Sequence, residues 1–268
     1  MPPRPLVTVV IPVRNEEFAL PMALKSLARQ SAIGRCELLV VDGGSADRTV
    51  AVAESFPFAR VVHSPRGRAA QMNAGARAAS APVLWFLHAD STLPDSRTLE
   101  ALAAAAAFEA APAAPAPVAG CFRFHLRGDS LYFKLVTAFV NFRARRLGRP
   151  YGDQGLWTRA DVFAGIGGFR EDLPACEDID LALRLRRAGP FRLMPQTVET
   201  SARTWKRHGK LATTAFHLKQ WAGFEWSRMW PPRRDRRRVP ASSATPAPRD
   251  AATPAPALEG PRQTPPPA

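Results

Sequence analysis

The stretch Val83-Leu84-Trp85-Phe86-Leu87-His88-Ala89-Asp90 decides how the chain is read. Five apolar residues run together and stop at a histidine and a carboxylate. The run is too short for a buried helix and suits a central strand covered on both faces. In an open α/β sheet, ligands bind beyond the carboxyl ends of the strands. That places Asp90 in a crevice, where one carboxylate can hold a divalent cation against a phosphate. A plainer reading makes Asp90, with Ser91 and Thr92, the cap of a following helix.

The flanking sequence supports the strand. Residues 7–12 (Val-Thr-Val-Val-Ile-Pro) read as a first buried strand, and Pro21 suits the first turn of a helix carrying Ala23, Leu24, Leu27 and Ala28. Strands are expected at 37–41 and 60–63, with helices at 49–56 and 68–80. Strands alternating with helices imply a mostly parallel sheet of nucleotide-binding type, flanked by helices. Downstream, an alanine helix from Ala101 gives way to Pro112, Pro115 and Pro117, a surface linker by composition. A strand at 118–126, a helix at 130–146, a strand at 155–158 and a helix at 179–188 follow, the last stopped by Gly189-Pro190. Residues 231–268 are rich in Pro, Ala, Thr and Arg and are expected to be a disordered tail. The domain then spans 1–230, with a nucleotide-binding half at 6–100, an acceptor half at 118–210 and an amphipathic helix at 208–230.

Composition narrows the function classes. The net charge is +14, from 37 basic and 23 acidic residues. In the tail, seven arginines against Asp235, Asp250 and Glu259 give +4 and leave +10 elsewhere. Such an excess attracts nucleic acid, anionic lipid or phosphorylated substrates without choosing among them. No basic module with interleaved aromatics appears, so no nucleic-acid partner is expected. Cys36, Cys121 and Cys176 are few and widely spaced, which fits a reducing compartment. The start leads straight into a strand and no apolar run approaches the roughly 20 residues of a spanning helix. The expected location is cytoplasmic, with peripheral attachment to the inner face of the membrane open.

Polar clusters fall at the strand ends. Arg14-Asn15-Glu16 follows the first strand, and Asp42-Gly43-Gly44-Ser45-Ala46-Asp47 the second. There the glycines let backbone approach a ligand, and Asp42 can accept from a base or ribose; an ordinary tight turn explains the same residues. Arg66-Gly67-Arg68 with Asn73 opens a helix whose N-terminus suits phosphate, or is simply a solvated basic turn. Tyr151-Gly152-Asp153-Gln154 and Cys176-Glu177-Asp178 add acids in the second half. Asp178 or Glu177 can serve as a general base at a helix start, or can merely answer the helix dipole. Arg203 and Trp205 can hold a diphosphate and a sugar or base face.

The order of these motifs resembles the family 2 glycosyltransferases of GT-A fold, over roughly residues 6 to 210. The matching pieces are Val10-Ile11-Pro12-Val13-Arg14-Asn15-Glu16, Val40-Val41-Asp42-Gly43-Gly44-Ser45-Ala46-Asp47-Arg48-Thr49, Asp90, and Glu177-Asp178 with Leu181, Arg184-Leu185 and Ala188-Gly189. Gln71-Met72-Asn73-Ala74-Gly75, Phe86-Leu87-His88-Ala89-Asp90 and Tyr151-Gly152-Asp153-Gln154 look like a compact bacterial subgroup without transmembrane helices. The resemblance implies that Pro12 to Glu16 and Asp42 cradle the nucleoside, and that Arg68 and Asn73 lie along the diphosphate. It implies Mg²⁺ or Mn²⁺ at Asp90, with His88 standing where the family carries its first acid. Asp178 matches the base that deprotonates the acceptor, and Arg203 with Trp205 loosely matches an Arg-Trp pair.

The implied activity is an inverting hexosyl transfer from a nucleotide sugar, with UDP-sugars first among the donors, to an acceptor hydroxyl on a lipid or other apolar molecule. A non-catalytic GT-A-like nucleotide-sugar-binding or scaffold protein is the alternative, and missing Asp90 or Asp178 would favour it. A nucleotidyltransferase would need a Gly-rich phosphate loop near the N-terminus, which is absent. Finally, as a helix, residues 211–230 place Leu211, Ala215, Leu218, Ala222, Trp226 and Met229 on one face. With Trp221, Trp226, Trp230 and the arginines beyond, this face suits peripheral docking on a membrane; packing on the domain is the plainer reading.

Overall fold

In the computed structural model, which describes residues 4–106 and 115–229, the apolar runs at the start of the chain become adjacent parallel strands. Strand β1 (Val7–Val13) pairs with β2 (Cys36–Asp42) on one side. The strand opened by Val83 lies on its other side, and β3 (Ala59–His63) extends the sheet beyond β2. That strand, β4, covers Val83–Phe86. Helices α1 (Leu20–Ala28), α2 (Thr49–Glu54) and α3 (Arg68–Ala78) make the crossovers. Both faces of β1 are covered, which explains why it is apolar but for Thr8, whose hydroxyl donates to Glu37. Val9 and Ile11 join Leu24, Leu38 and Trp85 in one core, while Val10 joins Leu39, Met72 and Phe86 in the other.

Glycine in α3 sets how closely the helix approaches the sheet. A Cβ at Gly75 would stand 2.3 Å from Val10 Cγ1 and 3.0 Å from Val41 Cγ2. Gly75→Ala is therefore expected to destabilise by about 1–3 kcal/mol, although alanine is the better helix former. Chemical denaturation checks this, and an unchanged midpoint would mean that α3 shifts freely on the strands.

The second half completes an eight-stranded sheet in the order β3-β2-β1-β4-β7-β6-β8-β5. Its strands are β5 (Ser91–Thr92), β6 (Ala119–Leu126), β7 (Trp157–Arg159) and β8 (Phe191–Thr200). β7 runs antiparallel to both β4 and β6, β5 runs antiparallel to β8, and β6 and β8 are parallel. The sheet is thus mixed in this half, and with β6–β8 counted, four of its seven strand pairings are parallel, as the mostly parallel expectation has it. Ser91 and Thr92 are strand residues paired with Thr200 and Glu199, which rules out the helix-cap reading of Asp90.

Helices α4 (Thr98–Ala106), α5 (Leu131–Phe142), α6 (Ala160–Gly165), α7 (Glu177–Ala188), α8 (Arg203–His208) and α9 (Lys210–Met229) complete the unit. Ser130 caps α5 by accepting from Phe133 N–H, and a π-helical turn at Arg143–Leu147 extends it. Part of the proline linker (residues 107–114) and the tail from 231 lie outside the described residues. No described helix is long and apolar enough to cross a membrane.

Candidate active site

The loops after β1 and β2 are built as one surface. Asn15 sits in left-handed backbone (φ 56°). Its side chain accepts from Ala46 N–H at 2.8 Å, while its own N–H donates to Ser45 Oγ. Asp42 folds its carboxylate onto its own turn, accepting from Gly44 and Ser45 N–H at 3.1 Å. Gly43 N–H donates to Val13 O, and the Gln71 amide donates to Val13 O at 2.7 Å and Val41 O at 2.8 Å. A Cβ on Gly43 would lie 2.7 Å from Gln71 Cδ, so a side chain there would push the Gln71 amide off its two carbonyls. Pro12 is half-buried in β1, and Arg14 is exposed beside the loop. Glu16 holds its N–H on Thr49 Oγ1 and its carboxylate on Arg203 at 2.8 Å. That ion pair brings the start of α8 to the end of β1.

The chain beyond β4 meets the 151–154 turn and the start of α7 in a cluster of acids. His88 Nδ1 lies 2.6 Å from Asp153 Oδ1. Burial opposes charge on the ring most, yet the Asp153 hydrogen bond together with the charges of Asp153 and Asp90 holds His88 above its ordinary pKa. Burial would likewise lift Asp153, and the His88 contact instead brings it below the usual carboxylate range. Asp90 is different. Burial first, and the Asp153 carboxylate second, push it upward, with His88 working against them. Its carboxylate accepts no hydrogen bond among the described residues.

Glu177 and Asp178 open α7, where their charge is favoured by the helix N-terminus. Asp178 is 9% exposed. Its Oδ2 accepts a short hydrogen bond from Gly152 N–H, and its Oδ1 accepts from Ile179 N–H at 2.8 Å. Each oxygen keeps a further lone pair. Glu177 is lifted by burial and by Asp178, while Arg68, 3.6 Å away, works against them. Arg68 remains 56% exposed, and the fields of Glu177, Asp153, Asp178 and Asp90 all favour its charge against the cost of burial.

Three expected site residues have other work. Asn73 is buried, and its amide donates to Phe169 O and Glu171 Oε1 while accepting from Phe169 N–H. It clips a distant loop onto α3 and has nothing left for a diphosphate. Gln154 is wholly buried, bonded to Phe122 O and Tyr151 N–H, so it shapes the turn from inside. Trp205 is 8% exposed, donates to Thr214 Oγ1 and stacks on His217 at 5.4 Å, which leaves no open ring face for a sugar. Sequence reading missed His217 itself. It projects from α9, burial holds its pKa down, and the charges of Asp153 and Asp178 reach it. Nothing near His217 in sequence marks it; only the docking of α9 brings it there.

No described group of three or more His, Cys, Asp or Glu is placed to hold a metal ion. The donor set fits a cation that shares its shell with a ligand. Asp153 is occupied by His88 and Glu16 by Arg203, which leaves Asp90 as the carboxylate of this cluster with no hydrogen-bond partner among the described residues, raised in pKa by burial first and by Asp153 next. Mg²⁺ commonly binds through one or two carboxylates plus substrate phosphates.

A nucleotide-type parallel half, a mixed second half and acids gathered at the strand ends make this a GT-A glycosyltransferase fold. The chain belongs to glycosyl transferase family 2, whose pattern matches residues 8–169, and it is a glycosyltransferase. It is 37% identical over 194 residues to the "PGL/p-HBAD biosynthesis glycosyltransferase" of Mycobacterium bovis (strain BCG), covering 67% of this chain and 69% of that protein. Among solved structures it resembles S. aureus TarS 1-349 in complex with UDP-GlcNAc (TM-score 0.57, 18% identity, 73% of this chain and 58% of that one). It also resembles a mannosyltransferase from Pyrobaculum calidifontis in complex with GDP-Man and Mn²⁺ (TM-score 0.55, 22% identity, 74% of this chain and 57% of that one). The chain thus spans under two thirds of the length of either structure.

Proposed function

We propose that the crevice transfers a sugar, with inversion, from a nucleotide-diphosphate donor to an acceptor hydroxyl, and that Asp178 is the general base. The acceptor oxygen attacks the anomeric carbon as the bond from that carbon to the diphosphate breaks, and the acceptor proton passes to Asp178. The nucleoside diphosphate leaves with its charge met by Arg68 and Arg203. Pro12, Arg14, Glu16, Asp42 and Gly43 line the nucleoside side, and Asp153 and Glu177 set the charge around the reacting sugar. Supporting this reading above all is one observation: Arg68 stands in the combined field of Asp90, Asp153, Glu177 and Asp178 beside the strand ends. A Mg²⁺ or Mn²⁺ ion held by Asp90 would supply further charge neutralisation to the diphosphate.

The donor is read as a UDP-sugar first, because a fold relative was solved with UDP-GlcNAc; another was solved with GDP-Man. An apolar or lipid-linked acceptor at a membrane surface is supported by α9. Leu211, Leu218, Trp226 and Met229 on its expected apolar face are 80%, 41%, 66% and 62% exposed. The helix packs instead through the side that carries Thr213, which is buried, and Glu225, at the edge of the apolar arc, pairs with Arg149.

A thermal-shift panel of UDP-, GDP- and dTDP-sugars, with and without Mn²⁺, tests the reading. One nucleotide class should raise the melting temperature, more so with metal. Asp90→Ala should erase only the metal-dependent part of that gain, and Asp42→Ala should weaken binding in both conditions. No shift with any nucleotide sugar would sink the donor assignment, and equal shifts with and without Mn²⁺ would sink the metal role of Asp90.

A further inference from the structure

α5 carries an apolar stripe that nothing described covers. Leu131, Leu135, Phe139 and Phe142 recur at helical spacing and are 72%, 61%, 43% and 55% exposed. The helix is fixed to the domain by its other side. Phe133 and Val140 are buried, Thr137 accepts from Leu126 N–H, and Asn141 bonds both backbone groups of Phe124. The stripe is therefore left over after packing is complete, and contiguous apolar surface of this kind marks an interaction site.

The stripe adjoins the outer face of α9. Tyr132 Oη donates to Lys210 O at 2.8 Å, Arg143 lies over the Trp221 ring, and Arg149 pairs with Glu225. These contacts advance together along the two helices, which therefore run side by side in one direction. Around α5, the stripe lies next to Tyr132 and Arg143. Around α9, Leu218 and Trp226 lie to one side of Glu225 in the same way. Both stripes thus border one seam.

A second observation gives the surface a charge preference. A groove of about 620 Å³ at the C-terminal end of the α5 stripe is lined by Arg123, Asn141, Phe142, Arg145, Arg146, Leu193 and Pro195. No acid lines it. Arg123, Arg145 and Arg146 have no hydrogen-bond or ion-pair partner among the described residues. Unpaired guanidinium groups against apolar walls match a phosphate that has an apolar continuation.

We propose that α5, its arginine groove and the outer face of α9 form one docking surface for an anionic phospholipid leaflet. The apolar side chains enter the acyl boundary, and the groove takes the phosphate of a head group. The inference rests on the membrane-facing reading of α9 and adds α5 and the groove as equal parts of the surface.

Co-sedimentation of the full chain tests it, with vesicles of phosphatidylcholine alone and of phosphatidylcholine with phosphatidylglycerol, at low salt. Wild type should pellet with the anionic vesicles and stay in solution with the neutral ones. The triple change Arg123→Gln, Arg145→Gln, Arg146→Gln should weaken anionic-vesicle binding on the order of 100-fold, from three lost charges on an anionic surface. Leu135→Ser with Phe139→Ser should weaken it comparably, with circular dichroism and melting unchanged. The arginine variant decides the matter if the stripe variant fails to fold, because its exchanges are all polar. Wild-type binding by both α5 variants, alongside loss in Trp226→Ser, would overturn the inference and leave the α9 reading standing. No binding by wild type would reject both. A dimer seen by light scattering, broken by the stripe variant in a protein that ignores vesicles, would assign the face to a second copy and overturn the proposal.

Discussion

Asp178→Asn is expected to bind donor as wild type does and to turn over about 10²–10⁴-fold more slowly, the usual cost of losing a positioned base. The carboxylate accepts on both oxygens, from Gly152 and from Ile179, so it is held in one orientation before any substrate arrives. Asparagine offers one oxygen and one NH₂ there, and it cannot take up the acceptor proton. The donor side should be spared. Arg68 pairs with Glu177, and the Glu16–Arg203 pair lies beyond the other strand end. Initial rates at saturating donor, together with calorimetric titration of the donor, separate the two effects. Turnover like that of wild type would remove Asp178 from the chemistry, and parallel loss of donor affinity would move it to the nucleotide side.

Gly152→Ala should cost about 10²-fold in rate without touching a titratable group, because a shift near 1 Å in the reacting geometry is worth that much. The added Cβ would stand 2.8 Å from His88 Nε2 and 3.1 Å from Asp178 Oδ2. The loop cannot simply recoil, since Gly152 N–H is what Asp178 accepts. The methyl group therefore displaces the histidine, the carboxylate or the hydrogen bond between turn and helix. Donor affinity and the circular dichroism spectrum should stay near wild type. An unchanged rate would show that the 151–154 turn yields freely and that its close approach to Asp178 carries no catalytic weight.

The parts legible in the sequence share a physical cause. Strands buried on both faces must be apolar throughout, so β1, β2 and β4 announce themselves, and a carboxylate that ends such a run, like Asp42 or Asp90, stands out by contrast. β8 did not. It is only partly buried, and Arg192, Gln196 and Glu199 interrupt its apolar residues, so neither strand period survives. Partnerships across the chain were equally hidden. His88 and Asp153 are 65 residues apart, and the amide of Asn73 is spent on a loop 96 residues away. The residue types that bind ligands are the same ones that tie loops together, and composition cannot tell which task a given asparagine, glutamine or tryptophan has taken. For α9 the pattern of apolar residues was correct, but its meaning was inverted relative to an ordinary packed helix: that arc faces solvent.

A strand that is apolar on both faces has a hidden weakness. Ordinarily, sliding a strand by one residue would expose its greasy side, and burial itself forbids the error. Between β1 and β2 that safeguard is weak, because most positions of both strands are apolar, and polar groups hold the offset instead: Thr8 stands opposite Glu37 and donates to its carboxylate at 2.7 Å. The Gln71 amide adds a constraint at the other end of the pair. By donating at once to Val13 O and Val41 O, one NH₂ group fixes the ends of the two strands against each other. In that alignment Asn15 meets Ser45 and Ala46, and Glu16 meets Thr49. A buried glutamine thereby acts as an alignment dowel for the loops after β1 and β2.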